Sequence, residues 1–255
     1  MVVSSAHKTK AQPLQFRFLG RCETCEHVVA APAKCKRGIK VVKELGRGDV
    51  GVAYEIEPGS QASSIHAAMT PHGNYVLKEV RIANEQEMQQ FSNEICIGKY
   101  LGELKIAPRI YDCWVCTGSE SETTPKYPVT GYYIMDKIEK IWDKEYPSDS
   151  TEGKPVRPSP REMERKLVKV LETMVKAGII HQDCHPGNIG ILKNGQVVLF
   201  DFGFAIFSHD KMTQPDTVLM SQLYIVIEQY DKKIMYDSYL YDVIYRIRQN
   251  KYKIA

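Results

Sequence analysis

The chain has 255 residues, 43% hydrophobic and 25% charged, which suits one compact unit of two small lobes and excludes several independent domains. Seventeen glycines and 13 prolines without a repeating period exclude collagen-like and wholly disordered chains, and no apolar run approaches the roughly 18 residues of a membrane span. The net charge of +3 is uneven: residues 1–40 hold eight Lys or Arg against two Asp or Glu, and the remainder is slightly acidic. That basic arm could touch nucleic acid or an anionic surface, although spaced charges of this kind are more often a solvated tail.

Seven cysteines, an odd number, fit a reducing compartment better than a secreted disulfide framework. The N-terminal MVVSSAHKTKAQPLQF has no apolar leader. A soluble cytoplasmic protein is expected, in a microbial cell or, if the protein is viral, in the host cell.

From Ile39 the pattern is strand, glycine turn, strand (IKVVKEL, GRGDVG, VAYEI), followed by an inserted loop over 57–74. YVLKEVRI (75–82) alternates as a strand. A helix after Asn84 then carries Met88, Phe91, Ile95 and Leu101 on one side. Two more strands are expected over 107–116 and 131–138. Residues 145–160, with four prolines, form a linker. A second helix starts near Ser159, with Met163, Leu167, Val170, Leu171 and Met174 at helical spacing and Gly178 just past its end. Asn194-Gly195 between apolar runs predicts a hairpin with a two-residue turn. Two helices close the chain, on Leu219, Leu223, Val226, Ile227 and Tyr230 and on Leu240, Val243, Ile244 and Ile247.

Gly46-x-Gly48-x-x-Gly51 lies between two strands, so the dinucleotide-fold reading fails its own context. A glycine-rich hairpin can instead bring backbone N–H groups close to phosphate oxygens, because no Cβ intervenes. Lys78 sits in the next strand, on the face that the glycine loop covers. Glu94, on the following helix, could pair with it.

The second half holds His181-Gln182-Asp183-Cys184-His185-Pro186-Gly187-Asn188, then the hairpin, then Asp201-Phe202-Gly203. The hairpin folds Asp201 back beside Asn188. A carboxylate and an amide oxygen are hard ligands suited to Mg²⁺ on nucleotide phosphates, and a second carboxylate can take the proton of an attacking hydroxyl.

These residues, in this order over roughly 39–205, resemble the protein kinase-like superfamily. The resemblance implies an α+β, two-lobed kinase-like fold: an antiparallel-sheet N-lobe with one helix over 39–138, and a reduced, mainly helical C-lobe over 139–255, preceded by the basic arm of 1–38. It also implies ATP and Mg²⁺ as cofactors. Gly46, Gly48 and Gly51 would then cover the phosphates, Lys78 contact them and Glu94 hold Lys78. Asp183 would be the base, Asn188 and Asp201 the metal ligands, and Met135, Asp136 and Ile138 part of the hinge that receives adenine.

Gln182 stands where regulated protein kinases carry Arg, and the HPGN sequence is more similar to ABC1-like, RIO-like and aminoglycoside-phosphotransferase branches. No Ala-Pro-Glu sequence occurs in the 52 residues after Gly203, which implies a cut-down peptide platform. An atypical serine/threonine protein kinase is the first expectation, with a protein substrate. A small-molecule or lipid kinase and a pseudokinase scaffold are the alternatives, and the presence of Lys78, Asp183 and Asp201 weighs against the last.

His185 is expected to pack the loop or hydrogen-bond near Asp183, His181 to bond to backbone, and Phe202 to pack in the core. Cys22, Cys25, Cys113 and Cys116 have the spacing of a structural zinc site. Against zinc, Cys113 and Cys116 lie three apart in an expected strand and so face opposite sides; unligated thiols are the expectation.

Overall fold

The computed structural model describes residues 25–29, 35–48, 51–57, 73–117, 128–147, 159–208, 214–228, 238–249, 251–252 and 254. The first 24 residues, most of the inserted loop of 57–74 and most of the linker of 145–160 lie outside them.

The strands β1 Glu26–Val29, β2 Val41–Arg47, β3 Gly51–Ile56, β4 Tyr75–Ile82, β5 Ile110–Thr117 and β6 Val129–Asp136 form one sheet in the order β1-β5-β6-β4-β3-β2. Neighbours are antiparallel except β1, which runs parallel to β5. The β-branched and aromatic content of β4 and β6 earns them the central places, since both of their faces must be covered. Helix α1 (Glu85–Glu103) covers one face. Its start is set by Asn84, whose side chain accepts the N–H of Glu87 at 3.0 Å, while Glu87 reaches back to the N–H of Ala83 at 2.7 Å.

The chain leaves β6 and enters a second lobe at β7 (Ile138–Ile141), a strand absent from the sequence reading, which pairs with β9 (Ile189–Leu192). A short α2 (Trp142–Glu145) and the long α3 (Arg161–Lys176) follow, then β8 (Ile179–Ile180), β10 (Val197–Leu199), β11 (Ile206–Phe207), α4 (Pro215–Ile227) and α5 (Tyr239–Arg248). The expected stripe on α3 is the buried one: Leu167, Leu171 and Met174 are fully covered, against Leu219 and Leu223 of α4 and Leu240 and Val243 of α5. Glu164 is buried within this packing. It accepts the hydroxyls of Ser159 and Ser238 at 2.7 and 3.1 Å and the N–H of Tyr239 at 2.7 Å, so one carboxylate of α3 caps α5.

The β9–β10 hairpin forms as expected but with a different turn. Gly195 N–H donates to Leu192 O at 2.8 Å, Leu192 pairs across with Gln196, and Gly195 alone takes positive φ (79°). This is a three-residue loop whose left-handed position falls on glycine.

Two expectations are corrected. Of the stretch assigned to an arm outside the folded unit, residues 26–29 join the sheet as β1 and residues 35–38 form a turn held to it by the Trp114 Nε1–H bond to Cys35 O. The cysteines expected to be unligated are paired: Cys25 with Cys113 and Cys35 with Cys116. The opposite facing of Cys113 and Cys116 is what separates them. Cys113 lies on the α1 side of β5 and Cys116 on the other, so they cannot share one tetrahedral metal. Cys22 lies outside the described residues. Cys184 is the free cysteine among those described, and the odd count therefore carries no argument for a reducing compartment. No helix among the described residues is long and apolar enough to cross a membrane.

The Cys25–Cys113 bridge closes 88 residues of chain. Replacing both cysteines with Ala should lower the stability measured by urea unfolding by about 2–4 kcal/mol, and reducing agent should lower that of the unaltered protein at least as far.

Candidate functional site

The β2–β3 hairpin overhangs a cavity of about 540 Å³ lined by Gly46, Gly48, Gly51, Lys78, Glu94 and Asp201 together with Val52, Ala53 and Phe204. The three glycines differ in what they allow. A Cβ on Gly46 or Gly48 would meet nothing within 4 Å, whereas one on Gly51 would sit 2.4 Å from the backbone oxygen of Glu79 on β4. The first two thus leave the backbone open to a ligand, and the third lets two strands close up.

Glu94 projects from α1 into the base of the cavity and is buried. The expected ion pair with Lys78 is not formed. Glu94 Oε1 accepts the phenol O–H of Tyr133 at 3.0 Å, and Oε2 accepts the N–H of Phe202. Among the described residues Lys78 makes no ion pair, and its Nζ stands 5.5 Å from the centroid of the Tyr133 ring. Burial raises the Glu94 carboxyl above the ordinary range and the charge of Asp201 adds to this, with Lys78 opposing.

The loop from His181 to Asn188 approaches from the helical lobe. Asn188 donates through Nδ2 to the backbone oxygen of Asp183 at 2.9 Å and to its Oδ2 at 3.1 Å, so the amide nitrogen is spent and Oδ1 is left as an acceptor. The backbone of Phe200 is clasped on both sides: its N–H donates to Asn188 O at 3.1 Å, and its oxygen accepts from His181 Nε2 at 3.0 Å. That clasp sets Asp201, the next residue, beside the loop. His181 is fully buried, and burial lowers its pKa, so it serves as a neutral scaffold. His185 accepts the N–H of Gly187 on Nδ1 at 3.0 Å, which leaves Nε2 to carry hydrogen 3.7 Å from Asp183 Oδ2. Burial and the neighbouring Asp183 push the Cys184 thiol up to about 12, so it is inert.

The donor set fits a hard cation. Asn188 Oδ1 and the Asp201 carboxylate are oxygen ligands of the type that binds Mg²⁺, and phosphate oxygens would complete the shell. Met135, Asp136 and Ile138 do not line the cavity. The Asp136 carboxylate is taken by the Tyr111 hydroxyl at 2.8 Å and the Arg109 N–H at 3.0 Å, and Ile138 is already a residue of β7. Tyr133, missed in the sequence, belongs to the site. Only the β4–β6 register, which sets it opposite Lys78, reveals it.

Residues 148–238 match the model of the ABC1 atypical kinase-like domain. Serine/threonine-protein kinase PknD of Chlamydia trachomatis serovar D is 26% identical over 172 residues, which cover 68% of this chain and 17% of that protein. A probable serine/threonine-protein kinase of Streptomyces coelicolor, SCO3848, is 29% identical over 191 residues, covering 71% and 27%. The chain is thus similar to atypical members of the protein kinase-like superfamily. It spans less than a third of the length of these curated relatives. In this chain the glycine hairpin, the strand lysine and the Asp-Phe-Gly turn border one cavity, with the helix glutamate held by tyrosine instead of lysine.

The glycines provide a direct check. Gly51→Ala should lower stability by about 1–3 kcal/mol in urea unfolding, because the clash is with backbone. Gly48→Ala should stay within about 0.5 kcal/mol of the parent.

Proposed function

We propose that this chain transfers the γ-phosphoryl group of ATP to a hydroxyl group of a protein serine or threonine. The observation that supports this reading is the oriented pair of Asp183 and Asn188, together with the hydrogen bonds of Asn188 and His181 to Phe200, the residue before Asp201. In this reading Asn188 and Asp201 would hold Mg²⁺, which when bound offsets the charge of the phosphate oxygens. Lys78 meets those oxygens from β4, and the open backbone at Gly46 and Gly48 approaches them from above. One oxygen of Asp183 is engaged by Asn188, and the other is left to accept the proton of the attacking hydroxyl. The relatives named as serine/threonine kinases support a protein acceptor.

A second reading keeps the chemistry and exchanges the acceptor for a small molecule or lipid head group. The match of residues 148–238 to an ABC1 atypical kinase-like domain favours it. Labelled ATP offered with general protein acceptors and with a small-molecule panel separates the two.

The assignment of the base has a sharper test. Asp183→Asn should cut phosphoryl transfer by about 10²–10⁴ while ATP still raises the melting temperature in the presence of Mg²⁺; undiminished transfer would overturn the role of Asp183.

A further inference from the structure

We infer that Tyr133 is a positioning residue of the nucleotide site, which orients Glu94 and, through it, the Asp201-Phe202-Gly203 turn. The inference rests on the phosphoryl-transfer reading above and concerns how its metal end is held.

Tyr133 lies in the middle of β6, fully buried, opposite Lys78 in the register with β4. Its ring is fixed by the two flanking strands and by Phe91 of α1, whose ring centroid is 6.2 Å away. A phenol held in this way is a rigid donor. Its O–H reaches Glu94 Oε1 at 3.0 Å, and the other oxygen of the same carboxylate accepts the N–H of Phe202. The connection therefore runs from the sheet, through one carboxylate on the helix, to the peptide that follows Asp201.

A buried carboxylate must have hydrogen-bond partners, because an unsatisfied one is strongly disfavoured. Here the two partners are a phenol and a peptide, with no ammonium at ion-pair distance among the described residues. The division of labour follows from that. Tyr133 satisfies Glu94, so Lys78, which makes no ion pair among the described residues, stands above the Tyr133 ring with its ammonium available to phosphate. If the phenol oxygen were absent, Glu94 Oε1 would have Lys78 as its remaining nearby donor. The carboxylate would then compete with phosphate for Lys78 and turn away from Phe202, and Asp201 would lose its support.

Tyr133→Phe tests this by deleting one oxygen while keeping the ring, its packing on Phe91 and its face toward Lys78. Calorimetric titration with ADP, with and without Mg²⁺, gives a readout that does not depend on turnover. The variant should bind Mg·ADP about ten-fold more weakly than the parent, with a much smaller change when Mg²⁺ is absent. In a Glu94→Met background, which removes the acceptor and leaves no buried carboxylate, adding Tyr133→Phe should change nothing further. That pair of proteins also decides the matter if Tyr133→Phe alone does not fold.

Equal Mg·ADP affinity in parent and Tyr133→Phe overturns the inference, and so does an equal loss with and without Mg²⁺. A Tyr133→Phe effect that persists in the Glu94→Met background does the same, because the coupling would then bypass Glu94. A parent protein that binds ADP under neither condition removes the phosphoryl-transfer reading itself, and the inference with it.

Discussion

Helix α1 has to belong to two cores at once, and the arrangement of the site follows from how it does so. Phe91 and Ile95 are buried in the sheet lobe, while Ile97 and Leu101 are buried among the residues of the helical lobe, beside Phe202. A helix of 19 residues can show different faces to two neighbours, since side chains return to one face only every three or four positions. Glu94 falls where those faces meet, cut off from solvent. Its carboxylate is accommodated because both oxygens find donors, one from each side of the boundary: Tyr133 from the sheet, and Phe202 from the segment that opens the lower part of the site. A packing constraint on one helix thereby becomes a polar link between the lobes.

The lower half of the site is organised by the backbone of one residue rather than by its side chain. Phe200 offers its N–H to Asn188 and its oxygen to His181, so the two strands of the hairpin and the loop before them are closed into one frame. Asn188 in turn spends its amide nitrogen on Asp183, which orients the carboxylate and the amide oxygen by the same contact. Mutual satisfaction of this kind makes the loop's polar groups inexpensive to bury and fixes their directions before any ligand arrives. The buried Cys184 between Asp183 and His185 anchors the loop by its apolar side, since its thiol is held protonated.

Local signals were readable along the chain. Asn84 caps α1, the apolar stripe of α3 faces the core, and Asn194-Gly195 turns a hairpin, because each depends on residues within a few positions of one another. The contact of Asp183 with Asn188 is local in the same way, as the two are five residues apart in one loop. The features that escaped depend on register between distant strands. Tyr133 enters the site because β6 sets it opposite Lys78, 55 positions away in the chain, and no spacing rule expresses that. β1 was hidden because a parallel partner is chosen by the open edge of β5, far along the sequence. The cysteines show how spacing misleads. Two CxxC pairs suggest one metal, yet strand geometry sends Cys113 and Cys116 to opposite faces, where each meets a different partner.

Two non-glycine residues with positive φ bracket the frame around Phe200: Gln182 at 64° and Asp201 at 66°. Each left-handed residue costs about 1–2 kcal/mol against an ordinary conformation, somewhat less for Asp, which tolerates it. The chain sustains this where hydrogen bonds over-determine the backbone, and here they do, since Asn188 and His181 hold the N–H and the oxygen of Phe200, on the two peptides that flank this residue before Asp201. Gly187 supplies the last condition. A Cβ there would lie 2.7 Å from the His185 ring, so the absence of a side chain lets His185 accept the Gly187 N–H and turn its other nitrogen toward Asp183. Strain at two residues, a missing side chain at a third and a neutral buried histidine all serve one end, which is to hold Asp183, Asn188 and Asp201 in fixed mutual directions. In the proposed phosphoryl-transfer reading, groups held in this way would meet charge without reorganising.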